Sequence, residues 1–212
     1  MATMNLNVKT DDITFGTNIL NVKVPKQLRN KVRSGVKYID DALGGSGFTP
    51  SAVTFFTGTP GAGKTTMMLK LADSLTKQGA IVVFNTAEES LYQVKLVAER
   101  LNLQHGFHAG QETSVPKLLE FCTELRNKRG NKNKPFFLIV DSLQTLDDGK
   151  YKNGGGGRAK DRRALGMITD YCKEHYCNAV VIGQVNKSGQ MAGSNVLKHM
   201  VDSMMTLSVN GS

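Results

Sequence analysis

Apolar residues along the chain follow two rhythms that take turns. Short continuous apolar runs near 52–57, 80–85, 136–141, 178–184 and 203–209 have the length and the β-branched and aromatic content of strands buried on both faces. Between them, apolar positions recur at helical spacing near 64–78, 89–102, 114–129 and 161–176, with a shorter stretch near 194–200. Met67, Met68, Leu71 and Leu75 form one such stripe, and Gly79 ends it. Strands alternating with helices predict an α/β fold, a parallel or mostly parallel central sheet with helices on both faces. Ser34 to Leu43 adds a short amphipathic helix closed by Gly44 and Gly45. Residues 1–33 are polar, with short alternating pieces at Ile13–Phe15 and Ile19–Val24 and a basic stretch at Lys26, Arg29, Lys31 and Arg33. They read as an N-terminal arm that packs on the core or on a neighbouring subunit, leaving 34–212 as the core domain. Two irregular stretches, Asp147–Lys160 with its glycines 154–157 and Asn186–Ser194, follow predicted strands at the end where open α/β sheets bind ligands.

A chain of 212 residues suits one such domain and leaves no room for a second full one. The net charge of +9 and pI near 9.5 point to an anionic partner, nucleic acid foremost. Cys122, Cys172 and Cys177 form no C-x-x-C pair, which argues for a reducing compartment and for packing roles. The cluster Cys172, His175 and Cys177 and the pair His105 and His108 both lack the ligand number and spacing of a zinc site. Met67, Met68, Met204 and Met205 read as core filler. No secretory signal pattern or membrane-length apolar run is present, so the expectation is a cytoplasmic protein of a bacterial or phage-infected cell, without membrane contact.

Candidate chemistry concentrates at the strand ends. Gly58-Thr59-Pro60-Gly61-Ala62-Gly63-Lys64-Thr65 is a complete G-x-x-x-x-G-K-[ST] sequence between a predicted strand and a predicted helix. Its glycines let backbone N–H groups wrap a polyphosphate at a helix N-terminus. Residues 58–66, through Thr66, are therefore expected to bind ATP. Lys64 reaches the β- and γ-phosphates, and Thr65 ligates Mg²⁺. The apolar run Phe136–Val140 ends in Asp141, the second expected Mg²⁺ contact. Glu88, with Glu89 as the alternative, follows the strand near 80–85 and could deprotonate the attacking water; the plainer reading puts either one in the first turn of the next helix. Gln184 ends the strand near 178–184, where its amide can sense a γ-phosphate. Tyr92 could stack on adenine or simply lie on an exposed helix face.

Five ordered segments resemble the ATPase core of the RadA/Sms branch of the RecA superfamily. They are Ser34–Gly47 with Leu43-Gly44-Gly45, the phosphate loop, Ala87-Glu88-Glu89-Ser90 with Gln93–Leu101, Val140–Thr145, and Ala192–Asp202. The resemblance spans most of 34–209 and implies a RecA-like P-loop NTPase. It implies an ATP-driven motor that assembles as a ring, a hexamer by expectation, on single-stranded or branched DNA and works with recombination or replication proteins. Glu88 becomes the catalytic glutamate, and the loops after Asp141 and Gln184 become DNA-facing. In the first, Lys150, Lys152, Arg158, Lys160, Arg162 and Arg163 outnumber Asp147, Asp148 and Asp161, and Tyr151 could stack on a base. The bland alternative is a solvated basic loop. Asn186, Lys187 and Lys198 are candidates around the second loop. The family's four-cysteine zinc module and Lon-protease-like domain have no counterpart here. Its Lys-Asn-Arg-Phe-Gly motif would fall beyond the last predicted strand, so the basic residue acting on a neighbour's nucleotide is expected from elsewhere.

The expected function is a DNA-dependent ATPase in recombination, repair or replication. The alternative is an ATP-gated assembly or loading module with weak hydrolysis. A small-molecule kinase, with Arg158, Arg162 and Arg163 as a closing lid, fits less well beside Glu88 and Gln184.

Overall fold

In the computed structural model, residues 13–150, 157–184 and 195–208 are described. Six strands form one sheet: β1 (Val53–Gly58), β2 (Ile81–Thr86), β3 (His108–Gly110), β4 (Phe136–Asp141), β5 (Asn178–Ile182) and β6 (Ser203–Leu207). Their order is β3-β2-β4-β5-β1-β6, and every described pairing is parallel. The helices are α1 (Lys26–Arg29), α2 (Lys37–Ala42), α3 (Lys64–Lys77), α4 (Leu91–Arg100), α5 (Val115–Asn127) and α6 (Gly157–His175). The α/β architecture expected from the pattern is the one present.

The four inner strands are buried along their whole length and mostly apolar because both of their faces are covered. Alternate residues serve opposite layers: Phe55, Val83, Leu138, Val140 and Val181 pack with α5 and α6 through Leu118, Cys122, Leu165 and Ile168. Phe56, Phe84, Phe137, Ile139 and Ile182 pack with α2, α3 and α4 through Ile39, Met68, Leu71, Leu75 and Val94. Phe48 closes the second layer edge-on against Phe137, ring centroids 5.2 Å apart.

Several expectations are corrected. β3 lies where the pattern predicts only a connection, since its residues are exposed or half-buried and carry no apolar alternation. Asn85 welds that edge to β2: its side chain donates to the Glu112 carbonyl at 2.8 Å and accepts from the Glu112 N–H at 2.9 Å. The segment at His105, beside β3, is tied to α3, where Asp73 accepts from the N–H groups of Gln104 and His105 at 2.9 and 2.6 Å. Among the described residues no cluster of His, Cys, Asp or Glu could hold a metal ion by itself. Met204 is 39% exposed on the edge strand β6 and is not core filler, whereas Met68 is fully buried. All three cysteines are buried. No helix among the described residues is long and apolar enough to cross a membrane.

The arm is joined to the core by backbone at Val32, which pairs with Phe48 in an antiparallel bridge. Upstream of α1, Phe15, Ile19 and Leu20 are largely exposed. The described part of the arm before α1 therefore does not pack on its own core.

Candidate active site

Strand register gathers the predicted residues into one row. Phe56 lies beside Ile182, so Gly58 and Gln184 are level, and Thr86 lies beside Asp141, placing Glu88 just past it. With β4 paired to β5 through Val140 and Val181, the four strand ends adjoin. A cavity of about 440 Å³ opens there, lined by Gly58, Lys64, Thr65, Glu88, Asp141 and Gln184 among others.

The turn after β1 needs glycine where φ is positive, +77° at Gly61 and +89° at Gly63, which caps α3. Gly183 is glycine for a different reason. A Cβ there would stand 2.1 Å from the Phe55 ring. The Lys64 ammonium donates to the carbonyls of Gly58 and Thr59 at 2.9 and 3.0 Å, across the mouth of the loop. The Thr65 hydroxyl donates to Asp141 Oδ2 at 2.6 Å. Burial raises the Asp141 pKa, the Thr65 hydrogen bond opposes the rise, and the Glu88 and Glu89 charges add to it.

Glu88 is not in a helix. β2 ends at Thr86, and α4 starts only at Leu91 behind Ser90, which forms a capping box with Gln93. This corrects the plainer reading of both glutamates. The freed carboxylate of Glu88 accepts hydrogen bonds at Oε1 from the Ser142 hydroxyl and from Gln184 Nε2, the latter at 2.7 Å. Lys64 is the sole cation lining this cavity among the described residues, against Glu88, Glu89 and Asp141.

A family model described as "ATPase: KaiC" matches residues 32–211. The chain belongs to the KaiC ATPase family. It is 32% identical over 181 residues to the DNA repair protein RadA of Aquifex aeolicus, covering 85% of this chain and 38% of that protein. To RadA of Campylobacter jejuni it is 35% identical over 167 residues, 77% of this chain and 35% of the relative. The chain thus spans little more than a third of the length of these relatives, and what it matches is a RadA-type ATPase core. In fold it resembles another ATPase domain of known structure, with a TM-score of 0.68, 15% identity and coverage of 83% and 75% of the two chains. A DnaB-like replicative helicase gives 0.60 and 13%, covering 74% and 44%. The protein is a P-loop ATPase with a RecA-type fold.

Within this KaiC-type domain the donor set suits magnesium and nucleotide. Thr65 and Asp141, one hydroxyl and one carboxylate in contact, would hold Mg²⁺, which would offset phosphate charge there. Three carboxylates crowded around one ammonium add a reason for a divalent cation. The basic residues are dispersed by comparison. Arg158, Lys160, Arg162 and Arg163 belong to α6 and not to a loop. Arg163 is ion-paired with the buried Asp148, and Lys160 donates to the Gln144 carbonyl at 2.9 Å. Lys150 and Arg158 are exposed. Lys152, Tyr151, Asn186 and Lys187 lie outside the described residues. Tyr92 is 86% exposed on α4, and among the described residues it does not line the cavity.

Two residues at the site carry no signal that singles them out in sequence. Ser142 follows Asp141 directly and donates to Glu88. Gln144 accepts from the Gln184 N–H at 3.4 Å through its side chain and from Lys160 through its carbonyl, linking the cavity to α6. A polar residue after a strand-end aspartate is common, and only the packing of β2 against β4 gives Ser142 a partner.

Proposed function

We propose that this domain is a DNA-dependent ATPase of RadA type, acting in recombination, repair or replication of DNA in the cytoplasm. The observation that carries the hydrolytic part is Glu88, held by two donors across the cavity from Lys64, Thr65 and Asp141. ATP supplies the γ-phosphoryl group, whose charge Mg²⁺ at Thr65 and Asp141 would offset. Glu88 accepts the proton of the attacking water. Ser142 orients that carboxylate. The Gln184 amide can exchange Glu88 for a γ-phosphate oxygen, so hydrolysis changes its partner and the chain that follows it.

The names of the RadA relatives, described as DNA repair proteins, support DNA as the partner. The net charge of +9 supports it independently. Lys150 and Arg158 are the exposed candidates, and Lys152 and Lys187 extend the same set. With one cation at three carboxylates, a basic residue from a neighbouring subunit would complete the site, which favours a ring, hexameric by the family resemblance. The test is the ATP turnover rate over a series of salt concentrations with and without DNA. Stimulation that declines steeply with salt is expected. Nucleotide-dependent assembly with turnover indifferent to DNA at low salt would instead support a loading module.

A further inference from the structure

Two stretches of the chain carry cations and no carboxylate: residues 13–39, with six lysines and arginines, and residues 125–140, with five. About a hundred residues apart in sequence, they meet at one place. A cavity of about 450 Å³ lies at the N-terminal ends of β4 and β5, lined by Lys26 from α1, Arg126 from α5, and Lys132 and Lys134 from the turn before β4, together with Tyr176. The nucleotide cavity, where Asp141 and Gln184 follow β4 and β5, lies at the other end of the same strands, roughly 17 Å away for five residues of extended chain.

The cations here are not consumed by the fold. Among the described residues none of these four pairs with a carboxylate, whereas Lys37, Lys95, Arg163 and Lys173 each do. Among the described residues no Asp or Glu lines the cavity. Arg126 is steered by neutral groups alone: it donates to the His175 carbonyl at 3.4 Å and to the Tyr171 hydroxyl at 3.5 Å. Lys26, Lys132 and Lys134 are exposed. Burial lowers the His175 pKa and the Arg126 charge lowers it further, against the opposing charge of Glu174. Fixed like charges in a concave wall focus a field that attracts phosphate. Spread over two segments and beside a partly exposed tyrosine ring, they suit successive phosphates of a strand better than one small anion.

We propose that this basal cavity is a second nucleic-acid contact, binding the phosphodiester backbone of a single strand away from the nucleotide site and from the segments after Asp141 and Gln184. The assignment rests on the nucleic-acid half of the proposed function but not on hydrolysis. In the full chain, the triple substitution K26A/K132A/K134A tests it. Each lost phosphate contact reduces the slope of log K against log salt by about 0.7 for single strands, so the slope should fall by about 2, with affinity at low salt down roughly tenfold or more. ATP turnover without DNA should not change. Lysine acetylation of the unsubstituted protein, read by mass spectrometry, should show Lys132 and Lys134 protected by a strand of about 20 nucleotides, longer than the site size of one ordinary single-strand-binding fold, and not by equimolar pyrophosphate. An unchanged slope and unprotected lysines, while the protein still binds DNA, would overturn this proposal and leave the DNA-dependent ATPase standing. Equal protection by pyrophosphate would overturn it in favour of a small-anion pocket. Absence of any DNA binding would overturn both.

Discussion

Glu88, Ser142 and Gln184 meet within one hydrogen-bonded group, yet their substitutions should separate. Glu88→Gln keeps the side chain's shape and removes its basicity, so turnover should drop by about 10²–10⁴ while fluorescent ATP analogue binding persists. Ser142→Ala leaves the base in place and removes one donor to a charged group, an interaction of about 1.5–3 kcal/mol. The expectation is a fall in kcat of about 10- to 100-fold with KM for ATP little changed. A rise in KM with kcat intact would assign Ser142 to binding. Around them, Lys64, Thr65 and Asp141 are legible in sequence because the phosphate loop and an apolar strand ending in Asp have fixed local spacing. Ser142 is not, since its role exists only once β2 lies beside β4.

At the scale of elements, strand edges depend on side chains that bridge backbone. Asn85 is 1% exposed and occupies both backbone polar groups of Glu112, which starts the link from β3 to α5. Asn85→Ala should leave that backbone unpaired and cost about 1–3 kcal/mol, measurable as a lower urea midpoint at constant m. The central strands announce themselves by being mostly apolar, a direct consequence of two covered faces. β3 does not, because three residues that are exposed or half-buried are recruited to the sheet by their neighbour and not by their own composition. The beginning of α6 is likewise obscured. Arg158 to Arg163 follow a run of glycines that favours a loop locally, while the contact of α6 with β5 and the Arg163–Asp148 pair favour a helix.

For the whole molecule, the buried cysteines report on global opening. Burial pushes the Cys122 thiol up to about 12 and the Cys177 thiol to about 11, and raises Cys172 well above its ordinary value. Alkylation by iodoacetamide at about pH 8, just under the ordinary thiol pKa, should be negligible in the folded protein and rapid in denaturant. Because the folded values exceed the unfolded ones, stability should hold below about pH 9 and decline from there toward about pH 11 to 12. The exposed arm calls for a partner of its own. Replacing Phe15, Ile19 and Leu20 by Ser should leave the melting temperature of the core little altered and weaken nucleotide-dependent assembly in sedimentation; intact assembly would show that the arm plays no part in it.

The sequence by itself determined the alternation of buried strands and one-sided helices, the phosphate loop, the strand-end carboxylates and the excess of positive charge, because each is written in neighbouring residues or in a sum over the chain. Tertiary structure alone decided which distant groups share a space. Parallel register set Glu88 against Ser142 and Gln184 at one end of the sheet. At the other end it brought two carboxylate-free segments together around a single cavity. The reason is that a one-dimensional pattern specifies what each segment must bury, whereas strand order and register decide what stands beside it.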